Sequence, residues 1–184
     1  MSAGPATPSA RTVTNVVLAG LGGQGVIKAS DILADAALRS GFDVKKSEIH
    51  GRSQRGGSVT SDVRFGSRVL SPMVPRGEAD YLVVLAASEG DVTRPLLRQG
   101  GVMLAPDLIP EADLPNKRSL NVALLGALST YLEISAEVLL DAVRAALPER
   151  LRDVNERAFE LGRSRAGGAA GASGVGHSGT PAGG

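Results

Sequence analysis

The chain lacks cysteine and tryptophan altogether, and it holds only 3 Phe, 2 Tyr and 2 His in 184 residues. Each shortage excludes something. Without cysteine there are no disulfides, and no thiolate-ligated iron–sulfur cluster can be held within this chain. His50 and His177 cannot build a histidine-rich zinc site by themselves. If the biology involves electrons or metals, another chain supplies those centres. With aromatics at 3%, the core must be built from Val, Leu, Ile and Ala, and platforms for stacking nucleic-acid bases are not expected. A formal net charge of +1 is too near neutral for a protein that lives on phosphate contacts, so no nucleic-acid partner is expected. No stretch approaches the ~20 apolar residues that span a bilayer, and residues 1–10 show no basic region followed by an apolar one. The expectation is a soluble cytoplasmic protein with no membrane partner.

What is present is enough for one domain with appended tails: 42% hydrophobic residues over 184 positions is ordinary for a globular chain. Residues 1–12, rich in Pro, Ser, Ala and Thr, read as a disordered tail. Residues 164–184 read as a second one, since 8 of the last 18 residues are Gly and such a segment buries too little to offset its ordering entropy. His177 falls in that tail and is expected to be inert. Residues 13–163 form the domain.

Within it the pattern is α/β. Val16 to Ala19 is a short buried strand. Ile27, Ala29, Ile32, Leu33, Ala36 and Ala37 then recur at helical spacing, with Gly41 placed to end that helix. Phe42 to Glu48 is a second strand. Val59, Ser61, Val63 and Phe65 alternate against Thr60, Asp62 and Arg64, the mark of a half-buried strand. Gly66-Ser67 offers a tight turn into Arg68-Val-Leu-Ser71, which predicts a hairpin and an antiparallel pair. Tyr81 to Ala86 is a further strand. Ser88 is placed to cap the helix after it, which Pro95 must kink or restart. Gly101 to Ala105 is another strand, and 107–119 is loop. Helices are predicted over 122–133, 136–147 with Ser135 as N-cap, and 149–161 with Gly162 as the stop. The predicted fold is a single Rossmann-like three-layer domain, with a mixed, mostly parallel sheet and a C-terminal helical segment.

Two glycine-bearing segments stand out. Gly20-Leu-Gly-Gly-Gln-Gly25 lies between the first strand and its helix and satisfies G-x-G-x-x-G. Absent side chains let the backbone turn tightly and approach a ligand, and the helix N-terminus offers free N–H groups to an anion. A tight turn needed only for packing would leave the same trace. A dinucleotide site also wants an acidic residue about twenty positions on, closing the second strand. Glu48 is the one candidate, but Lys45 and Lys46 precede it, and the predicted hairpin breaks the parallel succession. A stand-alone NAD- or FAD-binding protein therefore stays as an alternative, as does a non-catalytic regulatory subunit.

The second segment is Glu48-Ile-His-Gly-Arg-Ser-Gln-Arg-Gly-Gly-Ser58. Arg52 and Arg55 beside bare backbone suit a carboxylate, phosphate or pyrophosphate. Gly56-Gly57 permits close approach or an unusual φ. A glycine-rich loop with two solvated arginines is the plainer alternative. Taken together, the two segments resemble the gamma-type domain of 2-oxoacid:ferredoxin oxidoreductases, nearest in type to the small (beta) subunits of indolepyruvate:ferredoxin oxidoreductases. Asp62-Val-Arg-Phe-Gly66, Met73-Val-Pro-Arg-Gly-Glu-Ala-Asp80, Asn121-Val-Ala-Leu-Leu-Gly-Ala127 and Asn155-Glu-Arg-Ala-Phe-Glu-Leu-Gly162 support the likeness, which runs from about residue 14 to 162.

The resemblance implies a subunit that is inactive alone. Such complexes convert a 2-oxoacid and coenzyme A (CoA) to acyl-CoA, CO2 and reduced ferredoxin. Thiamine diphosphate and iron–sulfur clusters sit in a large partner subunit, leaving no cofactor in this chain and ferredoxin reached through the complex. Gly22, Gly23, Gln24 and Gly25, with Arg52, Gln54, Arg55, Gly56 and Gly57, are then expected to line the path for CoA or the 2-oxoacid, Arg55 as the main anion contact. His50 is a candidate for proton transfer, its intrinsic pKa being near neutrality; hydrogen-bonding a loop in place is the alternative. Asn121, ahead of an apolar helix, is expected to be a cap. No metal site is expected.

Overall fold

The computed structural model describes residues 13–51 and 56–172, with side chains to residue 167. Residues 1–12, His177 and the rest of 173–184, and Arg52, Ser53, Gln54 and Arg55 lie outside the described residues. The five strands are β1 (Val13–Leu21), β2 (Asp43–His50), β3 (Ser58–Gly66), β4 (Ala79–Val84) and β5 (Leu97–Leu104). The helices are α1 (Val26–Arg39), α2 (Ala87–Thr93), α3 (Leu120–Leu128), α4 (Ala136–Ala146) and α5 (Glu149–Ala172).

The sheet order is β2-β3-β1-β4-β5. β1 runs parallel to β4 and β4 to β5, whereas β3 is antiparallel to both β1 and β2. The sheet is thus mixed, as the sequence predicts: four of its strands run in one direction and only β3 is reversed. The antiparallel share arises because β2 and β3 are joined through residues 51–57 as a hairpin, and β3 then inserts between β2 and β1. Val16 pairs with Val63 and Leu18 with Ser61, so β1 and β3 turn their apolar set to the same face.

The hairpin predicted after Gly66 does not form. No strand follows β3 before Ala79; instead residues 67–78 cross the second face of the sheet as an irregular strap. Side chains, not a ladder, take its backbone groups. Arg64 Nη1 donates to the Ser71 and Met73 carbonyls at 2.9 and 3.2 Å. Asp62 accepts from Val74 N–H at 2.8 Å, and Asp43 from Val69 N–H at 2.7 Å. Pro72 and Pro75 have no N–H to offer a ladder.

The two faces are unequal. One carries the main core, where Val16, Leu18, Val63, Phe65 and Val83 meet α1, α3, α4 and α5. The other holds a small cluster of Val17, Val74, Ala79, Leu82 and Val84 with Leu96 and Leu97 against it. α1 ends as the sequence predicts: Gly41 has φ 86°, its N–H donates to Leu38 O at 3.0 Å, and Phe42 N–H donates to Ala37 O at 3.2 Å. Phe42 then tilts against Phe65, with ring centroids 5.4 Å apart. Ser135 caps α4 as expected, accepting from Val138 N–H at 3.3 Å. Pro95 starts a short 3-10 turn after α2, but Ser88 lies inside α2 and Ala86 occupies its N-cap.

α5 does not stop at Gly162; it runs on to Ala172. Gly162 has a different task. A Cβ there would sit 1.7 Å from the Ala123 carbonyl oxygen, and one on Gly126 would sit 2.0 Å from that of Phe159. Both glycines lie where α3 and α5 cross, and they let the two backbones touch. α3, buried from Asn121 to Leu128, fits between the sheet and α5 only because of this.

Candidate functional site

The site begins where β1 and β4 end. β1 leads through α1 to the β2 side of the sheet, and β4 leads through α2 to the β5 side. Adjacent parallel strands whose connections diverge leave a crevice at their carboxyl ends, the usual ligand position in open α/β sheets. The glycine loop lies at this crevice. Leu21 N–H donates to Gln24 Oε1 at 2.7 Å, and Gln24 Nε2 reaches across to the Leu85 carbonyl at 3.4 Å. The Gln24 side chain is therefore spent on bracing the loop against β4. Gly20 must be bare for this, because a Cβ would lie 2.8 Å from Val26 and 2.9 Å from Gln24 Oε1.

The loop is tied at its other side to the second glycine segment. Gly22 N–H donates to Gly57 O at 2.9 Å, and a Cβ on Gly22 would come within 3.5 Å of Gly56 N. The two segments singled out in the sequence are thus in direct backbone contact. They meet through the start of β3, not through neighbouring parallel strands. Gly51 N–H donates to Ser58 O at 2.7 Å, and the Ser58 hydroxyl donates to the buried Glu89 carboxylate at 2.6 Å. Arg52, Gln54 and Arg55, between those anchors, lie outside the described residues.

Gly25 is the N-cap of α1, at φ 84°. Its carbonyl accepts the first helical hydrogen bond from Ala29 N–H and also faces Asn121 Nδ2 at 3.3 Å. Asn121 is not the cap of α3; Ser119 holds that position and Asn121 lies in the first turn. Only 8% exposed, it links the glycine loop to α3. Between them opens a cavity of about 450 Å³, lined by Gly23, Gln24, Gly25, Asn121 and two cations, Lys117 and Arg118. Lys117 pairs with Glu111. The Arg118 backbone N–H donates to Asn116 Oδ1 at 2.8 Å, while its guanidinium makes no hydrogen bond or ion pair among the described residues. Both cations fall in residues 107–119, which read as loop in the sequence. The available signal is Asn116-Lys-Arg-Ser119, a short capped turn set against a helix that is apolar but for Asn121.

Glu48 and His50 stand elsewhere. His50 pairs with Val59, which pairs with Gly20, so the imidazole's strand is two ladder spacings, about 10 Å, from the glycine loop. The His50 side chain is 62% exposed, with Nε2 3.5 Å from Glu48 Oε2. Glu48 is hydrogen-bonded to Lys46, which holds its carboxyl below the ordinary range, and Lys46 also reaches Asp31 on α1. With β3 inserted, Glu48 closes a strand that does not adjoin β1. A ribose held over the glycine loop would not meet it, which removes the second half of the dinucleotide fingerprint.

Residues 15–115 match the family model for pyruvate ferredoxin/flavodoxin oxidoreductase. The chain is 35% identical to indolepyruvate oxidoreductase subunit IorB of Thermococcus kodakarensis, over 80% of this chain and 93% of that one. It is 30% identical to 2-oxoglutarate synthase subunit KorC of Methanocaldococcus jannaschii, over 79% and 89% respectively. Among solved structures, the gamma subunit of a keto/oxoacid ferredoxin oxidoreductase from Geobacter sulfurreducens superposes with a TM-score of 0.73 at 26% identity, covering 85% of this chain and 98% of that one. The chain belongs to the pyruvate ferredoxin/flavodoxin oxidoreductase family, as a small, gamma-type subunit. No helix among the described residues is long and apolar enough to cross a membrane.

Proposed function

We propose that this chain is the small subunit of an indolepyruvate-type 2-oxoacid:ferredoxin oxidoreductase, and that it shapes a site whose cofactors belong to a large partner. The overall reaction joins the acyl group of a decarboxylated 2-oxoacid to the CoA sulfur. The acyl carbon is oxidised, CO2 leaves, and the electron pair passes to ferredoxin. The observation that carries this reading is the Gly22–Gly57 contact, which joins both family segments at the switch-point crevice.

The donor set explains why cofactors are assigned to the partner. An iron–sulfur cluster needs thiolates, and the chain has none. Thiamine diphosphate is assigned to the partner on the family likeness. The chain's own contribution is positioning. The braced glycine loop offers backbone N–H groups at the N-terminus of α1, and Arg52 and Arg55 of the second segment are the cationic side chains proposed to act with it. Arg55 is the proposed anion contact, with Gln54 beside it. Likeness to IorB, KorC and pyruvate/ketoisovalerate gamma chains leaves aryl-pyruvate, 2-oxoglutarate, pyruvate and ketoisovalerate as the substrates to compare, and indolepyruvate is favoured by the longer match at higher identity.

The test is to purify the tagged chain from its native host and assay the product. The reading expects a co-purifying large subunit with bound thiamine diphosphate and iron–sulfur clusters, and CoA-dependent reduction of ferredoxin by indolepyruvate. In that complex Arg55→Ala should raise KM for CoA or the 2-oxoacid several-fold. A chain that purifies alone and binds NAD or FAD tightly contradicts the reading.

A further inference from the structure

The sheet has two edges, and they differ. β5 is blunted: Gly100 stands at φ 72°, and the register jumps from Ala79 opposite Leu97 to Tyr81 opposite Val102. β2 is not. It runs for 8 residues without Gly or Pro, in unbroken register with β3 from Asp43 opposite Gly66 to His50 opposite Val59. Among the described residues no strand pairs with its other side. The ladder fixes which backbone groups face that open side. One step beyond the last pair, Gly51 N–H donates to Ser58 O, and the Ser47 carbonyl accepts from Ser61 Oγ on β3 at 3.2 Å. The odd-numbered residues of β2 therefore turn their N–H and C=O toward β3. Val44, Lys46, Glu48 and His50 turn theirs outward.

We propose that β2 is a self-recognition edge, where a second copy of this chain adds its own β2 antiparallel about a two-fold axis beside Ser47. A pairing that uses the outward groups, and keeps each side chain on its own face, sets even residues opposite even ones. Three central registers do so. With Lys46 opposite Lys46, or Glu48 opposite Glu48, like charges meet, which is unfavourable. The third sets Lys46 opposite Glu48 of the second copy, twice over by symmetry, and Val44 opposite His50. In that register Ser47 meets Ser47. Lys45 lies across from Ile49, whose side chain is 49% exposed and would be covered by the lysine methylenes. A lysine on an edge strand ordinarily deters pairing. Here Glu48, two residues on, supplies its opposite charge on the same face. Lys46 already hydrogen-bonds Glu48 and Asp31 of α1 within one chain, so both charges are held on the α1 side of the sheet, where the second strand would meet them. This self-complementary charge pattern selects a second copy over an unrelated strand. The inference does not depend on the functional reading above; it needs only this chain.

The absence of cysteine makes the test direct in the full-length chain. Opposed residues of a non-hydrogen-bonded antiparallel pair lie about 4.5 Å apart at Cα, within reach of a disulfide. Ser47→Cys is therefore expected to give a disulfide-linked dimer under mild oxidation. Lys45→Cys, with its counterpart about 14 Å away along the strands, is expected to stay unlinked. Sedimentation equilibrium supplies the second measurement. Lys46→Glu and Glu48→Lys should each weaken the dimer of the parent chain about tenfold or more. Mixing the two variants should restore it, because opposite charges again face each other at both positions. Circular dichroism checks that each variant folds, and if a charge variant does not, the two cysteine variants decide. A monomeric parent chain overturns the proposal, whatever else covers the edge. So does linkage of Lys45→Cys equal to that of Ser47→Cys, or charge variants that dimerise like the parent.

Discussion

Glycine does opposite work at the two ends of α3. Near its N-terminus, the loop glycines make room and adopt backbone angles closed to other residues, and a cavity results. Near its C-terminus, Gly126 and Gly162 remove room, because α3 and α5 approach until a Cβ would reach 2.0 and 1.7 Å from a carbonyl oxygen. The first set opens space, and the second closes it. The contrast teaches that a glycine's meaning lies in what its missing Cβ would touch, and substitutions separate the two kinds.

The largest effect is expected at the crossing. Gly162→Ala gains about 1 kcal/mol of helix propensity, far less than the cost of driving two helix backbones apart. Overpacking against backbone that cannot give costs about 3 kcal/mol or more, which for a domain of this size lowers Tm by about 10 °C. Thermal unfolding followed by circular dichroism checks this, and Gly126→Ala should behave alike. An unchanged Tm would mean that the crossing is looser than described.

A smaller, graded effect is expected at the loop. Gly25→Ala meets both φ 84° and an Asn121 Nδ2 at 2.5 Å, whereas Gly23→Ala meets only φ 89° in open space. Strain alone costs about 1 kcal/mol, and the added contact should raise Gly25→Ala to about 2–3 kcal/mol. Denaturant melts give the order. In the assembled complex both should impair CoA use, in contrast to Gly126→Ala at permissive temperature.

Asp62 supplies a pH test on the strap. Burial pushes its carboxyl above the ordinary range, outweighing the hydrogen bond from Val74 and the nearby Arg64. A carboxyl whose pKa rises on folding favours the fold while protonated. That contribution is complete below the unfolded value, about pH 4, and is lost as pH rises through the folded value. Asp62→Asn keeps an acceptor for Val74 N–H, so it should be somewhat more stable than the parent at pH 7 and indistinguishable below about pH 4. Denaturant midpoints across pH measure this, and a destabilised variant at pH 7 would show that the charge itself holds the strap. The smallest effect is expected at His50. Being exposed and two strands from the loop, His50→Gln should leave turnover within about twofold. Lost turnover with intact assembly would instead assign it the proton-transfer role.

The same contrast explains what the sequence could disclose. β1, α1, the Gly41 stop and the Ser135 cap were legible because each is a local signal: an apolar run, a 3.6-residue period, a left-handed glycine, a side-chain acceptor. The likeness carried by the two glycine segments points to this loop cluster. The insertion of β3 between β2 and β1 was not legible, because strand order depends on pairing between distant residues. The strap was misread as a hairpin because Arg64, Asp62 and Asp43 satisfy its backbone from the sheet, a tertiary effect that turn residues do not announce. Gly162 was misread as a stop because a glycine that ends a helix and one that admits a neighbouring helix look identical in one dimension. Lys117 and Arg118 were missed for a related reason: only folding sets them across from residues 23–25.

The most direct test of the central claim is reconstitution. The large subunit, prepared without this chain, is mixed with and without it, and indolepyruvate- and CoA-dependent ferredoxin reduction is measured. A subunit that completes the site predicts activity only when both are present, and none from this chain alone. Full activity of the large subunit without it would contradict the account.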